Sequence, residues 1–143
     1  MEEALTQFAR QLKPGGRIII STFAAGSFSP FSDAFMRLYG EFAMDATTPG
    51  WLRLCTDAHM QKLFADAGLS QPQCRQYDFG YEITSTDQWW DVVWNAGYRG
   101  MLESLGEDRI DEFKARHLAE VKDLICTNKN YLHVDVIVTI GQK

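Results

Sequence analysis

No stretch of this sequence is apolar for the roughly 18 residues that a bilayer-spanning helix needs. No signal peptide is read at its start either, so a cytoplasmic protein away from membranes is expected. Positive charge is in deficit, with 14 Lys and Arg against 19 Asp and Glu and a net charge of −5. A nucleic-acid backbone wants clustered Lys and Arg, which excludes nucleic acid as the main partner. Cysteine is scarce: Cys55, Cys74 and Cys126 are odd in number and widely spaced. That pattern suits reduced thiols in a core, not a disulfide framework. Internal repeats and linker-like segments are also missing, so residues 1–143 read as a single domain.

What is present is an ordinary globular balance, 45% hydrophobic and 23% charged, which excludes disorder. A chain of 143 residues can bury a real core. Aromatic residues make up 13% and gather in two places. Phe23, Phe28, Phe31, Phe35, Tyr39 and Phe42 crowd one stretch, and Trp89, Trp90 and Trp94 another. A core accounts for such clusters, and a pocket for an apolar or aromatic ligand is the sharper alternative.

Leu5, Phe8, Ala9 and Leu12 recur at helical spacing, and Pro14, Gly15 and Gly16 stop that helix. Ile18, Ile19 and Ile20 follow without a polar break, the pattern of a strand covered on both faces. After the loop "AAGSFSPFSDAF", a helix from about Ser32 puts Phe35, Leu38, Tyr39 and Phe42 on one face, and "TTPGW" breaks it at Pro49 and Gly50. Next comes a helix with Met60, Leu63, Phe64 and Ala67 inward, Thr56 or Asp57 as N-cap and Gly68 at its end. Tyr77, Phe79, Tyr81 and Ile83 alternate over 73–83 as a half-buried strand. Ser85 and Gln88 have capping-box spacing and open a helix through Trp90, Val93, Trp94 and Met101, kinked or shortened by Gly97, Gly100 and Gly106. A helix from about Glu107 to Ile125 turns Ile110, Phe113, Leu118, Val121 and Leu124 inward. "NKN" then leads into a last strand, Leu132 to Ile140. The order is α/β, with three strands and helices able to cover both sheet faces.

The helix followed by "LKPGGR" and "IIISTF" resembles the late part of class I S-adenosylmethionine-dependent methyltransferases. Leu12 to Gly16 matches their helix-ending turn, and Arg17 to Phe23 looks like their fifth strand. "MQKLFADAGL" is similar to the helix before their sixth strand, with Leu69 where phenylalanine is usual. Leu132 to Ile140 matches the antiparallel seventh strand, and "STDQWWDVVWNAG" looks like an insertion between the sixth and seventh. The implied fold is a partial Rossmann-like methyltransferase sheet of strands five, six and seven, with helices and an inserted helical lid.

The family binds S-adenosylmethionine on a glycine-rich turn after its first strand, where backbone N–H groups approach the cofactor closely. This chain has no G-x-G-x-G; Gly15 and Gly16 precede their strand, and "AAGS" has one glycine. No acidic residue is assignable to the ribose position. The sequence therefore looks like the C-terminal half of a methyltransferase, expected to be inactive and to bind no cofactor alone. S-adenosylmethionine belongs to the complete fold. Strand Arg17 to Phe23 would lack its fourth-strand neighbour, and the first helix, Glu2 to Leu12, the sheet it would normally cover. A homodimer through the N-terminal helix and the strand edge is therefore expected.

Ligands of open α/β sheets gather beyond the carboxyl ends of the parallel strands. The resemblance thus points to an acceptor site walled by Phe23, Phe28, Phe31, Trp51, Trp90 and Trp94, for a small apolar molecule. Packing alone would also explain those rings. No catalytic residue is assignable. His117, near the apolar face of its helix, and His133, alternating with core positions of its strand, each have the chemistry of a base. Cys55 and His59, four apart, are half a metal site, and structural zinc wants four ligands. No metal site is expected. The alternative to a methyltransferase piece is a noncatalytic module derived from that fold, dimeric or binding an apolar ligand.

Overall fold

The structure, a computed structural model, describes residues 1–43, 50–127 and 129–143. Pro49 of the expected helix break and Asn128 of the expected turn lie outside the described residues. The elements in chain order are α1 (Glu2–Gln11), β1 (Arg17–Phe23), α2 (Phe31–Phe42), a 3-10 helix (Gly50–Leu54), α3 (Asp57–Asp66), β2 (Ser70–Asp78), β3 (Tyr81–Glu82), α4 (Thr86–Asn95), α5 (Arg99–Leu105), α6 (Glu107–Cys126), β4 (Tyr131–Leu132) and β5 (Asp135–Gln142). The class is mixed α/β. Two compact units are distinguished. A sheet unit comprises Met1–Ser27, the described part of Thr48–Phe79, and Val134–Lys143; a helical unit comprises the described parts of Phe28–Thr47 and Gly80–His133.

In the sheet unit the chain leaves α1 through the Pro-Gly-Gly turn. Gly15 holds φ +77, and a Cβ on Gly16 would lie 2.8 Å from the Lys13 carbonyl oxygen, so each position rejects a larger residue for its own reason. The C-terminal residue fastens the turn. Lys143 N–H donates to Gly16 O at 2.9 Å, while its ammonium donates to the carbonyls of Arg10 and Leu12 at 2.9 and 2.8 Å. A cation on the last carbonyls of a helix also meets the negative end of its dipole.

The three-stranded sheet has the order β1-β5-β2, and β5 runs antiparallel to both neighbours. Consequently β1 and β2 are parallel to each other, as their order in the chain around α3 allows. Leu5 and Ala9 of α1 and Met60, Leu63 and Phe64 of α3 pack over one face, on Leu69 and Ile137, with Ile18 and Ile20 half-buried against them. Phe64 comes down onto the strand because residue 141 is glycine: a Cβ there would meet its ring at 2.5 Å.

Three expectations need correction. β1 is not covered on both faces, since Arg17, Ile19, Ser21 and Phe23 are exposed and only Ile18, Ile20 and Thr22 turn towards the helices. A run of β-branched residues encodes an extended backbone, and it carries no information on how many layers cover it. Nor does α1 lack a sheet, because Leu5 and Ala9 are already buried in this core. Finally, the two long C-terminal strands are each divided. β2 ends at Asp78 and β5 begins at Asp135, whereas β3 and β4 pair separately, Tyr81 with Leu132 and Glu82 with Tyr131. The alternation over 73–83 is real, but it runs through two strands: Tyr77 and Phe79 are exposed, while Ile83 is fully buried.

The helical unit gathers α2, α4, α5, α6 and the β3–β4 ribbon. Phe35, Leu38, Tyr39 and Phe42 of α2 are all buried, as their spacing predicts, and so is Phe31, the first residue of the helix. The expected capping box opens α4: Ser85 Oγ accepts from the Gln88 N–H at 3.3 Å, and Gln88 Oε1 accepts from the Ser85 N–H at 3.3 Å. Arg37 to Glu120 and Arg116 to Glu41 tie α2 to α6 across the surface. Such exposed pairs contribute only about 0–1 kcal/mol each, so the buried rings carry this contact. No described helix is long and apolar enough to cross a membrane.

Candidate functional site

The residues expected to wall an acceptor site fall in both units. Phe23 and Trp51 belong to the sheet unit, and Phe28, Phe31, Trp90 and Trp94 to the helical one. At the end of β1, Ser21, Thr22, Phe23 and Val136 line a shallow depression. Its floor is fixed from below. Thr22 Oγ1 donates to Leu54 O at 2.9 Å, and Ala25 N–H donates to Cys55 O at 2.8 Å, which holds the 3-10 helix beside the strand end. Trp51, on that 3-10 helix, is exposed. Thr56 caps α3 by accepting from the His59 N–H at 3.2 Å. Cys55 is buried with its thiol donating to Leu52 O at 2.9 Å, while His59 is exposed. Cys55 precedes α3 while His59 lies on it, so their spacing of four is not that of two residues on one helical face. Cys74 is half-buried beside Thr139, and Cys126 is on the surface; all three thiols are free.

In the helical unit Phe28 and Phe31 are core residues. Their ring centroids lie 6.5 and 5.4 Å from that of Trp89, and Tyr98 packs against Phe28 at 6.2 Å and Phe35 at 4.8 Å. Phe28 holds φ +67, a left-handed backbone that is uncommon for a large side chain. Its ring burial offsets that strain. Trp89 is the tryptophan that this core is built around, and sequence reasoning passed over it in favour of its neighbours. A signal existed: Trp89 and Val93 are four apart and both fully buried, whereas Trp90 and Trp94 form the next i,i+4 pair around the helix. Those two line a groove with Asp91, Ile110, Asp111 and Lys114. The Lys114 ammonium sits 4.9 Å above the Trp90 ring, and the Arg99 guanidinium 5.2 Å above that of Trp94. Each cation covers an indole face that a ligand would otherwise use.

His117 is fully buried, and its Nε2 accepts a hydrogen bond from the Trp89 indole N–H at 2.6 Å. An indole nitrogen only donates, so Nε2 carries no proton and the neutral ring is protonated at Nδ1. Nδ1 has no hydrogen-bond partner among the described residues. Burial, reinforced by the positive charge of Arg37, pushes the imidazole pKa down to about 4. His117 is thus neutral at pH 7, with its basic nitrogen occupied, which is the state of a structural histidine. Burial likewise pushes the Tyr98 phenol up to about 12, with the Asp33 charge adding to the shift and a Ser32 hydrogen bond opposing it. His133 is exposed, its ring 4.7 Å from Tyr131 in an edge-on contact.

A scan against protein-family models finds no match to this chain, and a search of curated proteins finds none either.

Proposed function

We propose that the chain is the acceptor-side half of an S-adenosylmethionine-dependent methyltransferase fold, acting in the cytoplasm on a small apolar molecule. The observation that carries this reading is the sheet. Its last strand lies between two mutually parallel strands and runs against both, and the first of those strands follows a K-P-G-G turn. The resemblance likewise implies an antiparallel last strand, the seventh, and a strand that follows this turn, the fifth. In the complete fold the cofactor would supply the methyl group, and the residues of this chain would orient the acceptor, a contribution made by positioning. Phe23 and Trp51 are the expected residues of the sheet unit that remain exposed; in the helical unit Trp94 is exposed and Trp90 half-buried. Three free thiols fit a reducing compartment. Alone, the chain forms a homodimer and binds no cofactor.

The test joins a gene-level observation to an assay. An in-frame segment upstream of Met1 that encodes a glycine-rich turn is expected. The extended chain should then transfer label from S-adenosylmethionine to one or more small apolar acceptors. A stop codon with a ribosome-binding site just upstream, together with no transfer, would overturn it. The second reading, a noncatalytic interaction module, would then stand on one observation, the exposed apolar face carrying Ile19, Phe23 and Tyr77.

A further inference from the structure

The sheet has two outer strands, and they are finished differently. β2 is blunted. Its register slips between Ser70 and Gln73, Gln71 holds φ +50, and Pro72 withholds an N–H. Bulges and prolines at such positions are how sheets avoid pairing with other chains. β1 carries none of these devices: it is seven residues of regular strand, RIIISTF, with no proline, no glycine and one charge.

The hydrogen-bond phase of β1 follows from its two ends. Lys143 N–H donates to Gly16 O at 2.9 Å, and Ala24 N–H donates to Asp135 O at 2.8 Å. Hydrogen-bonded pairs alternate along an antiparallel ladder, so Ile18, Ile20 and Thr22 bond to β5. Arg17, Ile19 and Ser21 therefore aim their N–H and C=O groups away from β5, and their side chains stand on the exposed face. Ile19 is 63% exposed there, beside Ile140 of β5.

Charge also separates the units. The sheet unit holds seven basic and six acidic residues, and the helical unit seven and thirteen. Two copies meeting through the sheet unit bring together nearly neutral surfaces, whereas a meeting through the helical unit would oppose two strongly acidic ones.

We infer that two copies of the chain pair β1 to β1, antiparallel, with Ile19 on the two-fold axis. This rests on the homodimer of the preceding reading and specifies how it closes. In that register Ile19 lies opposite Ile19 of the second copy, and Arg17 opposite Ser21. The outward N–H and C=O groups of these three residues then find partners in both copies. One row of the open face becomes Ile140 and Ile19 followed by Ile19 and Ile140 of the second copy, a continuous apolar strip. Arg17 faces a hydroxyl, and no pair of like charges is opposed. Closure about a two-fold hides the edge in both copies at once and cannot grow into a filament.

A residue on the axis meets only itself, and that makes the test specific. The intact chain at micromolar concentration is expected to be a dimer by light scattering. Ile19→Lys and Ile19→Glu should each be monomeric, because each opposes two like charges, and an equimolar mixture should restore the dimer mass. The exposed side chain leaves folding intact, which circular dichroism checks. As a second variant, Ile19→Cys should cross-link to itself on mild oxidation, through a position 19–19 disulfide identified by peptide mass, because hydrogen-bonded partners lie about 5.5 Å apart at Cα. A monomeric intact chain would remove the dimer and the pairing together. A dimer that survives Ile19→Lys and Ile19→Glu, with no 19–19 cross-link from Ile19→Cys, would remove this pairing while leaving the homodimer and the methyltransferase reading in place.

Discussion

The sheet unit and the helical unit draw on similar apolar residues and spend them in opposite ways. In the helical unit ring packs on ring: Phe35 alone has Tyr39, Tyr98, Phe113 and His117 within about 4.8 to 6.2 Å of its centroid. In the sheet unit Ile19, Phe23, Tyr77 and Phe79 stand on the surface, and the buried weight falls on Leu5, Met60, Phe64 and Ile137. The difference teaches that burial is assigned by what lies across from a residue, not by its hydrophobicity. Helices leave few faces unpacked when four of them close around a centre. A sheet always has two faces, and α1 and α3 supply one layer.

The largest expected effect tests that contrast directly. Phe35→Ala should cost about 3 to 5 kcal/mol, as removing a fully packed ring does. Phe79→Ala, at a site 62% exposed, should fall within about 0.5 kcal/mol of the parent. Urea unfolding monitored by circular dichroism measures both. Comparable losses at the two sites would show that the open face is covered in solution.

The helical unit should also respond to acid through its buried histidine. His117 has a folded pKa near 4, below its unfolded value of 6.5, so the unfolded chain binds the extra proton as pH falls. Stability from this group is therefore complete above pH 6.5 and is lost as pH drops towards 4. The shift corresponds to about 3 kcal/mol. Urea midpoints taken between pH 7 and pH 4 should fall more steeply for the parent than for His117→Gln, whose side-chain carbonyl can still accept from Trp89. Parallel slopes would place the histidine in contact with water.

How much of this was legible beforehand differs by element. The capping box at Ser85 and Gln88, the Thr56 cap and the inward face of α2 could be read directly, because caps and helical periodicity are local properties of the chain. The three isoleucines of β1 identified a strand, and its place at an edge was expected from the missing fourth-strand neighbour. The run did not show that one of its faces stays open, which is set by helices packed on the other side. The division of the 73–83 and 132–140 runs was hidden as well. Alternation continues through Phe79 and Tyr81 while the pairing partner changes. At the expected acceptor wall, composition could not separate Phe28 and Phe31, which fill a core, from Trp90 and Trp94, which line a groove. The i,i+4 relation of Trp89 to Val93 held that information, and a count of aromatics does not use it.

On the covered side of the sheet the fit is tight enough to feel one methyl group. Gly141→Ala would drive a Cβ into the Phe64 ring, and overpacking of this kind costs about 1 to 3 kcal/mol. Thermal unfolding should show the loss, and pairing it with Phe64→Leu should recover part of it, since the two positions compete for one space. An unchanged melting temperature would mean that α3 lifts freely from β5, and the two faces of the sheet would then differ less than their burial implies.

The smallest effect on stability, and the most informative about ligands, is expected at Trp94. Its ring is 37% exposed and stands under the Arg99 guanidinium on the rim of the α4–α6 groove. Truncation removes a partly exposed contact, so Trp94→Ala should cost no more than about 1 kcal/mol. An apolar fluorescent dye is the probe for the groove. If Trp90 and Trp94 wall an acceptor site, the dye should quench tryptophan emission saturably, and Trp94→Ala should weaken its binding severalfold while the urea midpoint hardly moves. Arg99→Gln should strengthen binding, because it uncovers an indole face that the guanidinium now occupies. A dye that binds the Trp94→Ala variant as well as the parent would locate its site elsewhere, with the bare face of the sheet around Ile19 and Phe23 the next surface to probe. Weakened binding after Ile19→Lys, with Trp94→Ala silent, would assign the apolar ligand to the sheet unit and leave the tryptophan groove as a packing seam between two helices.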